Sequence, residues 1–165
     1  MSLIIDTVPE TVLLGDQEYA INTDFRISIL FELLMQDKEI DLESKTKEIF
    51  NLYYPDEIPD ELKKEALSEA FLFFKGGKTA EESRETKGSG STQGKIYSYE
   101  DDDIYIYAAF KAQYGIDLQD EDLHWWKFKA LFSSLNEDCK ISKVMSYRAT
   151  AITSEMSKAE QKFYR

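Results

Sequence analysis

The sequence predicts a mainly α-helical protein that opens with a β-hairpin, α+β in the broad sense. Three observations carry that expectation. Apolar residues recur at helical spacing through most of the chain, one pair of short apolar runs flanks a Gly-Asp turn, and Pro and Gly fall where helices would end.

Taken in order, Thr11-Val12-Leu13-Leu14 and Gln17-Glu18-Tyr19-Ala20-Ile21 flank Gly15-Asp16, the two-residue signature of a primed hairpin turn. Leu3 to Asp6 is a candidate edge strand, separated from the hairpin by Pro9. Asn22-Thr23-Asp24 offers N-cap chemistry for a helix from Phe25 to Gln36, whose apolar residues Phe25, Ile27, Ile29, Leu30, Leu33 and Leu34 run nearly all round it. That pattern places the helix at the centre of a bundle. A second helix, about Leu42 to Tyr54, puts Leu42, Ile49 and Tyr53 on one face and stops at Pro55. A third opens at Pro59-Asp60, carries Leu62, Ala66, Ala70, Phe73 and Phe74 inward, and ends at Gly76-Gly77.

From Gly76 to Lys95 no apolar residue larger than alanine occurs, so the segment cannot offset its own ordering entropy. It is expected as a mobile loop joining residues 1–75 to a C-terminal helical half, 96–165, within one domain. Ile104-Tyr105-Ile106-Tyr107 alternates like a strand. Ser98 as a cap and the acids Glu100 to Asp103 at a helix start favour a helix instead, running to Gly115. Further helices are expected at about Asp120 to Leu135 and Asp138 to Arg148, with a short one after Ser157.

Composition narrows the function. The 165 residues carry 32 acidic and 20 basic side chains, a net charge of -12. Nucleic-acid binding and docking on anionic lipid both need clustered Lys and Arg, so both are disfavoured. Charge is nevertheless uneven: 17 acids face 7 bases between Met1 and Lys75, whereas 8 bases outnumber 4 acids from Leu123 to Arg165. An acidic body with a mildly basic tail keeps a protein soluble and permits head-to-tail self-association. No apolar run is long enough to span a bilayer. Met1 to Asp6 lacks signal-peptide character, and the single Cys139 cannot form an internal disulfide, so a reducing cytoplasm is the expected setting.

Catalytic equipment is hard to find. Lys87-Gly88-Ser89-Gly90-Ser91-Thr92-Gln93-Gly94-Lys95 has the wrong spacing for a phosphate loop, and Ile96 stands where Ser or Thr is needed. The acids Glu100 to Asp103, with Asp117, Asp120, Glu121 and Asp122, point in different directions round a helix and read as solvating charges at its start. His124 and Cys139 are the only residues of their kinds, so a zinc site or a histidine-activated nucleophile lacks partners. No catalytic residue, cofactor or metal is expected.

The most informative stretch is Leu123-His124-Trp125-Trp126-Lys127-Phe128-Lys129-Ala130-Leu131-Phe132. At 100° per residue, Trp125, Phe128, Leu131, Phe132 and Leu135 form one apolar stripe. Leu123, Trp126 and Ala130 lie opposite, bordered by Lys127 and Lys129. That second face is either covered by another part of the chain or offered to a partner, since Trp serves both cores and binding hot spots. As candidate partner-binding residues it supplies Leu123, Trp126, Lys127, Lys129 and Ala130.

This stretch, with Tyr107-Ala108-Ala109-Phe110, Gln113-Tyr114-Gly115-Ile116-Asp117-Leu118, Ile21-Asn22-Thr23-Asp24-Phe25-Arg26 and Phe31-Glu32, resembles the bacteriophage gp-fifteen family. Ser142-Lys143-Val144-Met145-Ser146-Tyr147-Arg148 and Lys162-Phe163-Tyr164-Arg165 continue the likeness. The resemblance implies a protein of phages and prophages of Gram-positive bacteria, encoded among tail genes and working in the host cytoplasm. It further implies a part in tail assembly, similar to a chaperone, with tail proteins and above all the tape-measure protein as partners. It implies no catalytic residues. Two other readings stay open: an acidic mimic of DNA acting on a DNA-binding protein, and a carboxylate-dependent metal enzyme.

Overall fold

A left-handed Gly15 (φ +59°) turns strand β1 (Thr11–Leu14) back onto β2 (Gln17–Ala20) as an antiparallel pair, in register from Thr11↔Ala20 to Leu14↔Gln17. The computed structural model describes residues 2–77 and 96–150. Six α-helices follow the hairpin among these residues: α1 (Phe25–Gln36), α2 (Leu42–Tyr53), α3 (Lys63–Phe74, preceded by a 3₁₀ turn at Asp60–Leu62), α4 (Asp103–Tyr114), α5 (Trp125–Ser133) and α6 (Lys140–Ala149). The mainly α architecture with an N-terminal hairpin is as the sequence predicts. Of the loop expected at 76–95, residues 78–95 lie outside the described residues, as does the last helix expected after Ser157.

Two compact units form, and their boundary does not follow the expected halves. Residues 2–77 pack with 122–130, and residues 96–121 pack with 131–150. Helix α5 is divided between them after Ala130.

In the first unit, capping and aromatic packing explain most of the structure. Asp24 caps α1 by accepting from the Arg26 N–H at 2.8 Å, and Asp41 caps α2 by accepting from Ser44 at 2.9 Å. Phe31, 1% exposed, meets Tyr53, Phe71 and Phe74 with ring centroids 5.4, 5.2 and 4.8 Å away. The Tyr53 hydroxyl shares a hydrogen bond with Ser28 at 2.8 Å, which explains a fully buried serine on α1.

Three expectations need correction here. Leu3 to Asp6 forms a turn, not a strand, because Ser2 and Asp6 close on each other through hydrogen bonds of 2.7 and 2.9 Å. Helix α1 is not buried all round: Phe25, Ser28 and Phe31 line its buried face, while Leu30 and Met35 remain exposed. Leu42, expected inward, is 77% exposed, since Ile49 and Tyr53 alone hold the buried face of α2.

In the second unit, Ile106, Ala109 and Phe110 of α4 are buried, as are Leu135 and Ile141. Helix α4 starts at Asp103 and not at Ser98, because the Asp102 side chain turns inward and residues 98–102 form a tight turn. Asp102 is 2% exposed and accepts from both terminal nitrogens of Arg148, at 2.5 and 3.1 Å, and from the Ser98 N–H at 2.8 Å. A residue expected to be a solvating charge is thus the buried half of an ion pair whose other half, Arg148, is partly exposed.

Candidate functional site: an open cleft beside a tryptophan clamp

The segment expected to start a helix near Asp120 first makes a pairing. Phe25 N–H donates to Leu123 O at 2.9 Å and Trp125 N–H donates to Thr23 O at 2.7 Å, an antiparallel bridge of Asp24 with His124. Helix α5 therefore begins only at Trp125, with His124 at its N-cap. The Trp126 N–H donates to His124 Nδ1 at 3.0 Å, so that nitrogen carries no proton, and Nε2–H donates to the Pro9 carbonyl at 3.0 Å. Both ring nitrogens are engaged in holding structure. Burial holds the imidazole's pKa below the ordinary histidine value, and Lys127 adds to that depression.

The two tryptophans then close the end of α3. Trp125, 2% exposed, stacks between Phe74 (5.4 Å) and Phe128 (5.7 Å), and its indole N–H donates to Phe74 O at 2.8 Å. Trp126 is half-buried, stacks on Phe73 at 5.6 Å, and donates to Phe73 O at 2.7 Å. Lys129 Nζ adds a third donor, 3.2 Å from Phe74 O. Helix ends leave carbonyls without intrahelical partners and carry partial negative charge. Two indoles and an ammonium meet that need, in a helix with no basic residue in its own last turn. Gly76 and Gly77 complete it by donating to Phe73 O and Leu72 O at 2.9 Å each, the Schellman arrangement. Gly77 (φ +73°) is required twice over, because a Cβ there would also lie 2.9 Å from the Trp126 ring.

In the same unit, a cleft of about 730 Å³ opens between the hairpin's flanks, α1 and the start of α5. Val8, Ile21, Ile27 and Leu123 supply its apolar lining, while Glu10, Asp24, Asp122 and Lys127 supply charge. Asp24 is partly neutralised by Arg26, 2.8 Å away.

The five expected contact residues therefore part company. Leu123 and Lys127 line the cleft. Trp126 and Lys129 are engaged with the end of α3, and Ala130 is half-buried. Sequence reasoning missed Val8, Glu10 and Asn22 as cleft residues. Asn22 is held there by the carbonyls of Tyr53 and Leu52, and Val8 and Glu10 flank Pro9, whose carbonyl is held by His124; no local pattern announces either. Among the acids between Glu100 and Asp122, Asp102 is buried and Asp117 accepts from the Tyr107 hydroxyl at 2.9 Å and from Lys111 at 3.1 Å.

No described helix is long and apolar enough to cross a membrane. No curated protein and no solved structure matches the chain. A profile of the family described as Bacteriophage Gp15 protein matches residues 4–165, essentially the whole chain including the Trp-Trp helix, and the protein therefore belongs to that bacteriophage family.

Proposed function

We propose that this phage protein acts without catalysis, as a tail assembly chaperone in the host cytoplasm that holds a helical segment of the tape-measure protein. The observation that carries this reading is the open cleft, lined by the apolar side chains of Val8, Ile21, Ile27 and Leu123 and by the acids Glu10, Asp24 and Asp122. An amphipathic helix would offer an apolar stripe to those apolar side chains and basic flanks to Glu10 and Asp122. Tape-measure chains are long and helix-rich, and an acidic carrier with net charge -12 would keep such a segment from aggregating. Leu123 and Lys127 make the contacts, while Trp126 and Lys129 act by fixing the helix that bears them.

The test is titration calorimetry of the purified protein against helical tape-measure segments. Leu123→Ala should weaken binding about tenfold, roughly 1.4 kcal/mol, with an unchanged melting temperature because the backbone bridge is untouched. Equal binding by wild type and variant would remove the cleft from the mechanism. Binding to a DNA-binding protein in its place, with steep salt dependence, would favour acidic mimicry of DNA.

A further inference from the structure

The cleft draws part of its lining from two stretches far apart in sequence, Val8 with Glu10 and Leu123 with Lys127. One side chain ties them together. His124 also lines the cleft, is 9% exposed, and spends each ring nitrogen on a different stretch. Nε2–H donates at 3.0 Å to the carbonyl of Pro9, the residue between Val8 and Glu10. Nδ1 accepts the Trp126 N–H at 3.0 Å, at the start of α5. The His124 backbone meanwhile bridges Asp24, the N-cap of α1.

The two ring contacts respond oppositely to a proton. An imidazolium is a donor at both nitrogens, so the Pro9 contact survives protonation and the Trp126 contact does not. Two N–H groups would then face each other, and the first turn of α5, which carries Lys127, would lose its cap. Protonation also adds a positive charge to a lining that already holds Lys127, where the basic flanks of a bound helix have to sit. The surroundings set the balance. Burial and Lys127 favour the neutral ring, while the Pro9 carbonyl and Glu10 favour the cation. Asp24 across the bridge is paired with Arg26, Asp122 lines the same cleft, and α3 meets the ring with the uncharged Phe73, centroids 5.5 Å apart.

We propose that His124 is the positioning residue of the cleft: as a neutral imidazole it clasps Val8–Glu10 to the start of α5, and on gaining a proton it releases a bound basic helix. The identity of the occupant rests on the tape-measure reading, and the clasp does not. A complex that requires the neutral ring takes up no proton there. Affinity is therefore full at neutral pH and falls as pH drops through the histidine's folded value, by no more than about tenfold per pH unit for one proton.

The test is calorimetric titration of the full chain with a basic tape-measure segment from about pH 7.5 to about pH 5, where affinity should fall about threefold or more. His124→Asn gives the Trp126 N–H an oxygen but is too short to reach Pro9 as well, and His124→Gln offers an amide N–H to Pro9 O. Both variants, each checked for an unchanged circular dichroism spectrum, should bind several-fold more weakly at neutral pH and lose the slope that His124 supplies. Proton NMR reads the clasp without a ligand. The single histidine gives one titrating ring signal, and the Trp126 amide should lose its protection against hydrogen exchange with the same midpoint. A wild-type affinity that stays flat over this range would overturn the proposal. So would variants that keep the wild-type slope, or a Trp126 amide equally protected on both sides of the histidine's midpoint. If no segment binds at any pH, the tape-measure reading fails instead, and the amide protection alone decides the clasp.

Discussion

The two units solve one problem, a buried polar group, by opposite chemistry. At the α3 end in the first unit, carbonyls of Phe73 and Phe74 are met by neutral indole donors set in stacked rings, assisted by one lysine. In the second, a 2% exposed carboxylate is met by a guanidinium that is itself 43% exposed. Neutral donors bring their own apolar surface, so hydrogen bonding and burial act together. A carboxylate must first be desolvated, and only good geometry with all partners present offsets that cost. The first arrangement should fail through lost packing and the second through lost charge.

The largest effect is expected at Trp125. Trp125→Ala removes a ring stacked between Phe74 and Phe128 together with the donor to Phe74 O, and should cost about 3–5 kcal/mol by urea denaturation. Asp102→Asn should cost about 2 kcal/mol, as for a charged hydrogen bond lost at a buried site. The Asn can keep the Ser98 N–H, and the half-exposed Arg148 can return to water. If Asp102→Asn proves the more damaging of the two, the ion pair and not the aromatic clamp is the principal fastening, and the comparison reverses.

How much of this was legible in the sequence depends on the range over which each feature acts. The hairpin, the helices and the Gly76-Gly77 stop could be read because turn chemistry, caps and periodicity are local. The buried stripe through Trp125 and Phe128 was legible for the same reason. The role of Trp126 was not, because helical spacing says which side a residue occupies and not what lies there. Its partner, Phe73, is 53 positions away. Asp102 was misread because three neighbouring acids gave a uniform pattern, and only the tertiary position of Arg148, 46 residues on, singles one out. Leu42 shows the converse, a residue with correct periodicity that no neighbour comes to cover. The cleft joins Val8 to Lys127, and nothing short-range marks it.

The smallest expected effect separates the units by acid. His124 is held neutral in the folded state, since a proton on Nδ1 would face the Trp126 N–H that it now accepts. Its folded pKa is depressed, so below the unfolded value of about 6.5 the unfolded chain binds the proton more readily. The stability due to His124 is therefore complete above about pH 6.5 and is lost as pH falls through the folded pKa. Asp102 is also depressed, chiefly by its hydrogen bonds with Arg148, so its contribution stands above about pH 3.8 and is lost only as pH falls through its lower folded value. Acidification from neutrality should accordingly weaken the His124 cap first, at a slope no steeper than about 1.4 kcal/mol per pH unit for one proton. Both tryptophans belong to the first unit, so their fluorescence follows it, and denaturation midpoints between pH 7 and pH 5 read the slope. His124→Asn supplies a side-chain oxygen for the Trp126 N–H without a titrating ring, and should flatten that slope while lowering stability at pH 7 by about 1 kcal/mol. An unchanged slope in the variant would place the pH dependence elsewhere, and His124 would then stand as a neutral cap with no part in the acid response.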